Sequence, residues 1–79
     1  DPEEDVKIIA AAIDHSKKTT GPGLSAATKL PAPRVNRSVS YLEDYSIVKV
    51  IKWTGTAPYS FGQVLATATT SRFVSENCR

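Results

Sequence analysis

The side chains able to do chemistry in this chain are few and scattered. One histidine, His15, stands between Asp14 and Ser16, one cysteine, Cys78, stands next to last, and an adjacent acidic pair, Glu43-Asp44, lies mid-chain. A catalytic histidine needs a nucleophile and an orienting carboxylate converging on it. No motif around His15 or around any serine supplies that convergence, and His15 reads as an exposed imidazole suited to the C-terminal end of a helix. Glu43 and Asp44 are adjacent, which on a strand sends them to opposite faces. One His and one Cys fall short of a four-ligand zinc site. Neither a phosphate loop nor a nucleophile elbow is present. The expectation is a non-enzymatic protein with no metal or other cofactor.

Binding chemistry is better represented. Trp53-Thr54-Gly55-Thr56-Ala57-Pro58-Tyr59 sets two aromatics around a Gly/Pro turn. It reads either as a recognition tip built from Trp53, Thr54, Gly55 and Tyr59 or as a hairpin closed by a Trp53–Tyr59 cross-strand pair. Arg34, Arg37, Lys49, Lys52 and Arg72, interleaved with Tyr41, Tyr45 and Trp53, are the residue types that stack single-stranded nucleic acid. They also suit a solvated sheet face with lysines set against edge pairing. A net charge of +2 is too small to imply nucleic acid by itself. Asn36-Arg37-Ser38 fits a glycosylation sequon, making Asn36 a candidate modification site. In an oxidising compartment Cys78 is a candidate for an interchain disulfide; in a cytosolic protein that reading lapses.

The elements that position these residues follow from the pattern. Asp1-Pro2-Glu3-Glu4 combines a cap, a proline suited to the first helical position and a capping-box carboxylate. Val6, Ile9 and Ile13 make a helical stripe, Lys17 and Lys18 suit the negative end, and Gly21-Pro22-Gly23 reads as the stop. A helix over about 2–18 is predicted. It accounts for the carboxylates of the first turn, Glu3, Glu4 and Asp5, with Asp1 as the cap, and so for most of the acidic charge at the start of the chain. Residues 19–37 read as an irregular Pro/Gly-rich arm, extended at Pro31-Ala32-Pro33. Residues 38–74 read as strands: a short one at Val39 and Tyr41, a turn at Glu43-Asp44, the strongest from Tyr45 to Trp53, and a third from Phe61 to about Phe73 with Gly62 as a bulge. The predicted fold is α+β and two-layered, an N-terminal helix packed on a three-stranded antiparallel meander, with residues 1–79 as a single domain.

The middle strand has apolar residues on both faces, Val48 and Val50 on one and Tyr45, Ile47, Ile51 and Trp53 on the other. One helix covers one face, so Val48 and Val50 are expected to meet either the 22–37 arm or another chain. Ordering a chain costs about 1.5 kcal/mol per residue, and small domains usually lean on disulfides, a metal or a partner. With one Cys and one His, association is the remaining aid. No stretch approaches eighteen apolar residues, so no membrane span is expected. The chain holds no Met and no signal-peptide pattern, consistent with a trimmed or processed product, and Arg79 suits cleavage by a trypsin-like protease as well as a simple chain end.

The order of a helix followed by antiparallel strands resembles the layout of the cystatins, inhibitors of cysteine proteases. Ala10 to Thr19 (AAAIDHSKKT) is similar to their helix, and VKVIKWTGTAPYSF stands where their first inhibitory hairpin would. Their QVVAG-type loop and later Pro-Trp hairpin are absent. The resemblance implies that Thr54 to Ala57 would be the inhibitory wedge. The leading expectation is a small, secreted, protein-binding module or subunit of a larger assembly, toxin- or effector-like or structural. A protease inhibitor presenting the 53–59 loop is the alternative, and single-stranded nucleic-acid binding a further one.

Overall fold

The computed structural model describes residues 1–77; Cys78 lies outside them. The first helix, α1 (Pro2–Ser16), forms as its sequence signals require. The Asp1 carboxylate accepts from the amides of Glu3 (2.9 Å) and Glu4 (3.3 Å), Pro2 occupies the first turn, and Val6, Ile9, Ala10 and Ile13 are buried. It ends earlier than predicted. Lys17 turns left-handed at φ 67°, its amide closing on the Ile13 carbonyl, and Lys18–Thr19 become a short strand, β1.

Gly21-Pro22-Gly23 does not stop that helix; it opens the next, α2 (Gly21–Thr28). Thr20 is the cap, its hydroxyl accepting from the Gly23 amide at 3.2 Å. Lys29, left-handed at φ 62°, ends α2, and Leu30 drops into the core. Pro31-Ala32-Pro33 then starts a third helix, α3 (Ala32–Asp44), rather than an extended arm. Prolines are tolerated there because the first-turn amides have no helical partner to lose. Val35, Ser38, Val39 and Leu42 form its buried stripe. The strand predicted at Val39 and Tyr41 and the turn predicted at Glu43-Asp44 are thus parts of this helix. Its end is a Schellman closure: Ile47 N–H donates to Leu42 O (2.8 Å) and Ser46 N–H to Glu43 O (2.9 Å), with Ser46 at φ 58°.

Strand β2 (Val48–Ile51) and strand β3 (Gln63–Ala66) are joined by a hairpin loop over residues 52–62, and α4 (Ala68–Asn77) follows. The third predicted strand is therefore four residues long before it gives way to a helix. Thr67 starts α4, its hydroxyl accepting from the amides of Thr69 and Thr70 and donating to Ile47 O. Thr70, fully buried, donates to the same carbonyl.

The fold is mixed α+β, with an N-terminal helix and a three-stranded antiparallel sheet ordered β1-β3-β2. It is not the predicted meander, because the third strand comes from residues 18–19. Val48, Val50 and Val64 turn inward, and Lys18, Lys49, Ile51 and Leu65 lie on the other face. β2, read from sequence as the middle strand, lies at the sheet edge, and its Val48/Val50 face is covered from within the chain: α3 packs on β2 and α1 on β3, while the face with Lys18, Lys49 and Ile51 stays exposed. The long strands underlying the cystatin resemblance are absent among the described residues; β2 and β3 have four residues each. No helix there is long and apolar enough to cross a membrane.

Candidate binding surface on α3 and the hairpin

α3 is held on both flanks, and the two attachments decide what it presents. Toward the hairpin, Asn36 donates its amide to Pro58 O at 2.9 Å, and its carbonyl oxygen accepts from the Ser60 amide at 3.0 Å and the Ser60 hydroxyl at 3.3 Å. Further along the helix, Glu43 meets Lys52 at 3.6 Å. Toward α1, Arg34 makes a two-pronged contact with Asp5, Nε and Nη2 each donating at 2.7 Å to separate carboxylate oxygens. The Asp5 side chain is 4% exposed, that of Arg34 40%. Hydrogen bonding from Arg34 holds the Asp5 carboxyl below its ordinary value, against the opposing effect of burial, and the same bond raises Arg34.

The hairpin loop is pinned at several points. Thr56 and Tyr59 close a turn, Tyr59 N–H donating to Thr56 O and the Thr56 hydroxyl to Tyr59 O. Tyr59 lies edge-on to Phe61, centroids 6.2 Å apart, and its hydroxyl sits 2.7 Å from Ser25 Oγ. Its ring lies so close over Gly21 that a Cβ there would collide with it. Tyr59 therefore anchors the loop to α2 and the core rather than forming part of a tip. Trp53 does not pair with it. The indole lies over Gly62, where again no Cβ fits, and remains 53% exposed. Gly62 serves this close approach, while its amide continues the ladder to Ile51 O.

Among the residues proposed from sequence, Trp53, Thr54 and Gly55 stand together and exposed, with Gly55 at φ 80° at the bend. Val48 does not belong with them. It is 5% exposed in the core, and Val50 is half-buried against that core. Sequence left their face to the 22–37 arm or to another chain; α3, whose first turns come from that arm, and α1 occupy it. The basic–aromatic set is partly consumed by internal contacts: Arg34 is engaged by Asp5 and Lys52 by Glu43, while Tyr41 and Tyr45 lie against each other at the end of α3, tilted, with centroids 4.7 Å apart. The Asn36 amide, the atom a glycan would take, is occupied by Pro58 O. His15 is exposed in the last turn of α1, and neighbouring Asp14 is taken by the Ser71 hydroxyl (2.7 Å) and Lys17 Nζ (3.1 Å), which lower its carboxyl in that order. No group of three or more His, Cys, Asp or Glu is placed to hold a metal ion among the described residues.

Sequence reasoning missed Asn36 as the bolt between α3 and the hairpin, and missed Asp5–Arg34 altogether. The first was masked by the sequon; the second spans 29 positions with no local signal. In comparisons with known proteins, no family model, no curated protein and no solved structure matches this chain.

Proposed function

We propose that this chain is a non-enzymatic docking module that binds another protein through the hairpin tip at Trp53-Thr54-Gly55 and the adjoining end of α3. One observation carries the reading: Trp53 is a large aromatic left half-exposed on a loop whose root is fixed by Asn36, Tyr59 and Gly62. A rigid aromatic loses little entropy when a partner covers it, which is why such residues dominate binding energy at protein interfaces. Exposed Tyr41, Tyr45 and Ile51 add to the same chemical character, aromatic and aliphatic rather than strongly cationic.

The test is binding by the wild type against Trp53→Ala, with the purified chain immobilised and the captured species identified and then titrated in pure form. Binding of a defined protein that weakens at least about ten-fold in Trp53→Ala, with an unchanged melting curve, supports the reading. Undiminished binding in that variant overturns it.

A second reading rests on a separate observation, the succession α2, a three-residue turn over 29–31, α3, and a flanking hairpin. That is the order of a helix–turn–helix with a wing, in which the second helix enters the major groove of a DNA duplex. The charges favour it less. Arg34 and Lys52 are already paired, and the exposed side of α3 sets Asp44 against Arg37. DNA binding would have to weaken steeply with salt and drop in Arg37→Gln. A duplex affinity meeting both conditions, and unaffected by Trp53→Ala, would replace the protein-docking reading with this one.

A further inference from the structure

The side of α3 away from the hairpin carries a different opening. Between the first turns of α1, the middle of α3 and the end of α4 lies a cavity of about 420 Å³. That is within the usual range for small-molecule sites, which combine apolar walls with a few polar groups that fix orientation. Val6, Tyr41 and Phe73 supply the walls, and Glu3, Lys7 and Arg37 the charges. Glu3 lies 3.8 Å from Lys7. Arg37 makes no hydrogen bond or ion pair with any of the described residues. Among the described residues, Asp5 feels Arg37 through space but is gripped by Arg34, so a guanidinium with no direct carboxylate contact borders an aromatic and aliphatic cleft.

A guanidinium is a planar fork that matches two oxygens held in one plane, as a carboxylate holds them. A doubly charged phosphate would meet one unpaired cation with the Glu3 carboxylate close by. A monoanion with an apolar body suits both the walls and the charge. We propose that this cavity binds a small aromatic or aliphatic carboxylic acid, its body lying among Val6, Tyr41 and Phe73 and its carboxylate on Arg37. The cavity shares Tyr41 with the end of α3 but not the hairpin tip, and its test reads Arg37, which the protein-docking reading does not use.

The experiment is an amide-shift titration of the ¹⁵N-labelled chain with 2-naphthoate and, in parallel, with its neutral counterpart 2-naphthalenemethanol. Expected are saturable shifts centred on Val6, Arg37, Tyr41 and Phe73, with the acid binding roughly ten-fold more tightly than the alcohol. Arg37→Gln should erase that preference while leaving alcohol binding and the melting temperature nearly unchanged, since the Arg37 side chain makes no hydrogen bond or ion pair among the described residues. Arg37→Lys should restore only part of it, a point charge lacking the fork. Absence of saturable shifts at these residues, equal affinity for acid and alcohol, or a preference that survives in Arg37→Gln would each overturn the proposal.

Discussion

The two flanks of α3 are fastened by opposite kinds of chemistry. On the α1 side a charged fork grips a carboxylate that is 4% exposed; on the hairpin side a neutral amide makes three hydrogen bonds near the surface. The ionic attachment joins two helices that carry the core, so its loss loosens the packing of α1 on α3. The amide attachment joins the core to a loop, so its loss frees the loop and leaves the core standing. Stability and presentation are thereby assigned to different sides of one helix.

The largest effect should come from breaking the ionic side. Removing the buried carboxylate costs two charge-assisted hydrogen bonds to a guanidinium that is itself 40% exposed, and Asp5→Asn is expected to lower the melting temperature by roughly 5–10 °C in a chain of this size. The pH dependence has a definite sign. Asp5 and Asp14 both titrate below their ordinary value of 3.8 in the folded chain. The stability they confer is therefore present above that value and lost as pH falls through the lower folded values. An acid titration followed by circular dichroism should show this loss below about pH 4, with a shallower slope in Asp5→Asn; an unchanged slope would contradict the assignment of the pair.

Breaking the neutral side should cost less. Asn36→Ala removes the bonds to Pro58 and Ser60 and should destabilise by about 1–2 kcal/mol in denaturant melts. Amide exchange is expected to quicken over 52–62 while α1 stays protected. Equal loss of protection in both places would mean that the two flanks are not separable.

The smallest effects test surface geometry. Ser46→Gly relieves a left-handed residue at the end of α3 and should stabilise by about 0.5–1 kcal/mol. Lys52→Gln removes an ion pair whose side chains are 63% and 37% exposed. It should change stability by less than about 0.5 kcal/mol, and a larger loss would show that Glu43–Lys52 fastens the hairpin to α3 alongside Asn36.

Sequence alone gave access to α1 because its cap, its first-turn proline and its stripe at Val6, Ile9 and Ile13 all agree. It misled at α3 because the signals there conflict. Pro31 and Pro33 deter a helix assignment although both sit where proline is harmless, and Val39, Tyr41 and Tyr45 have strand-forming side chains although Val35, Val39 and Leu42 keep the helical period. α4 was hidden in the same way by Thr67, Thr69 and Thr70, which cap and bond rather than extend. The exposed tip at Trp53-Thr54-Gly55 was legible because turn chemistry is local. The inward placement of Val48 and Val50 was not, since it depends on helices assembled from the segment read as an arm. Arg37 as a cation bordering a cavity became visible only once α1 and α4 were set beside α3.

The single tryptophan, seated on Gly62 outside the core, also makes the chain an uneven reporter on itself. Its emission follows the environment of the hairpin, whereas far-ultraviolet dichroism follows the helices. Detachment of the loop would register in one signal before the other, and a bound partner covering the indole would shift its emission toward the blue with the helical signal unmoved. Two inexpensive optical traces thus distinguish a loosened loop, an unfolded core and an occupied tip without any added label.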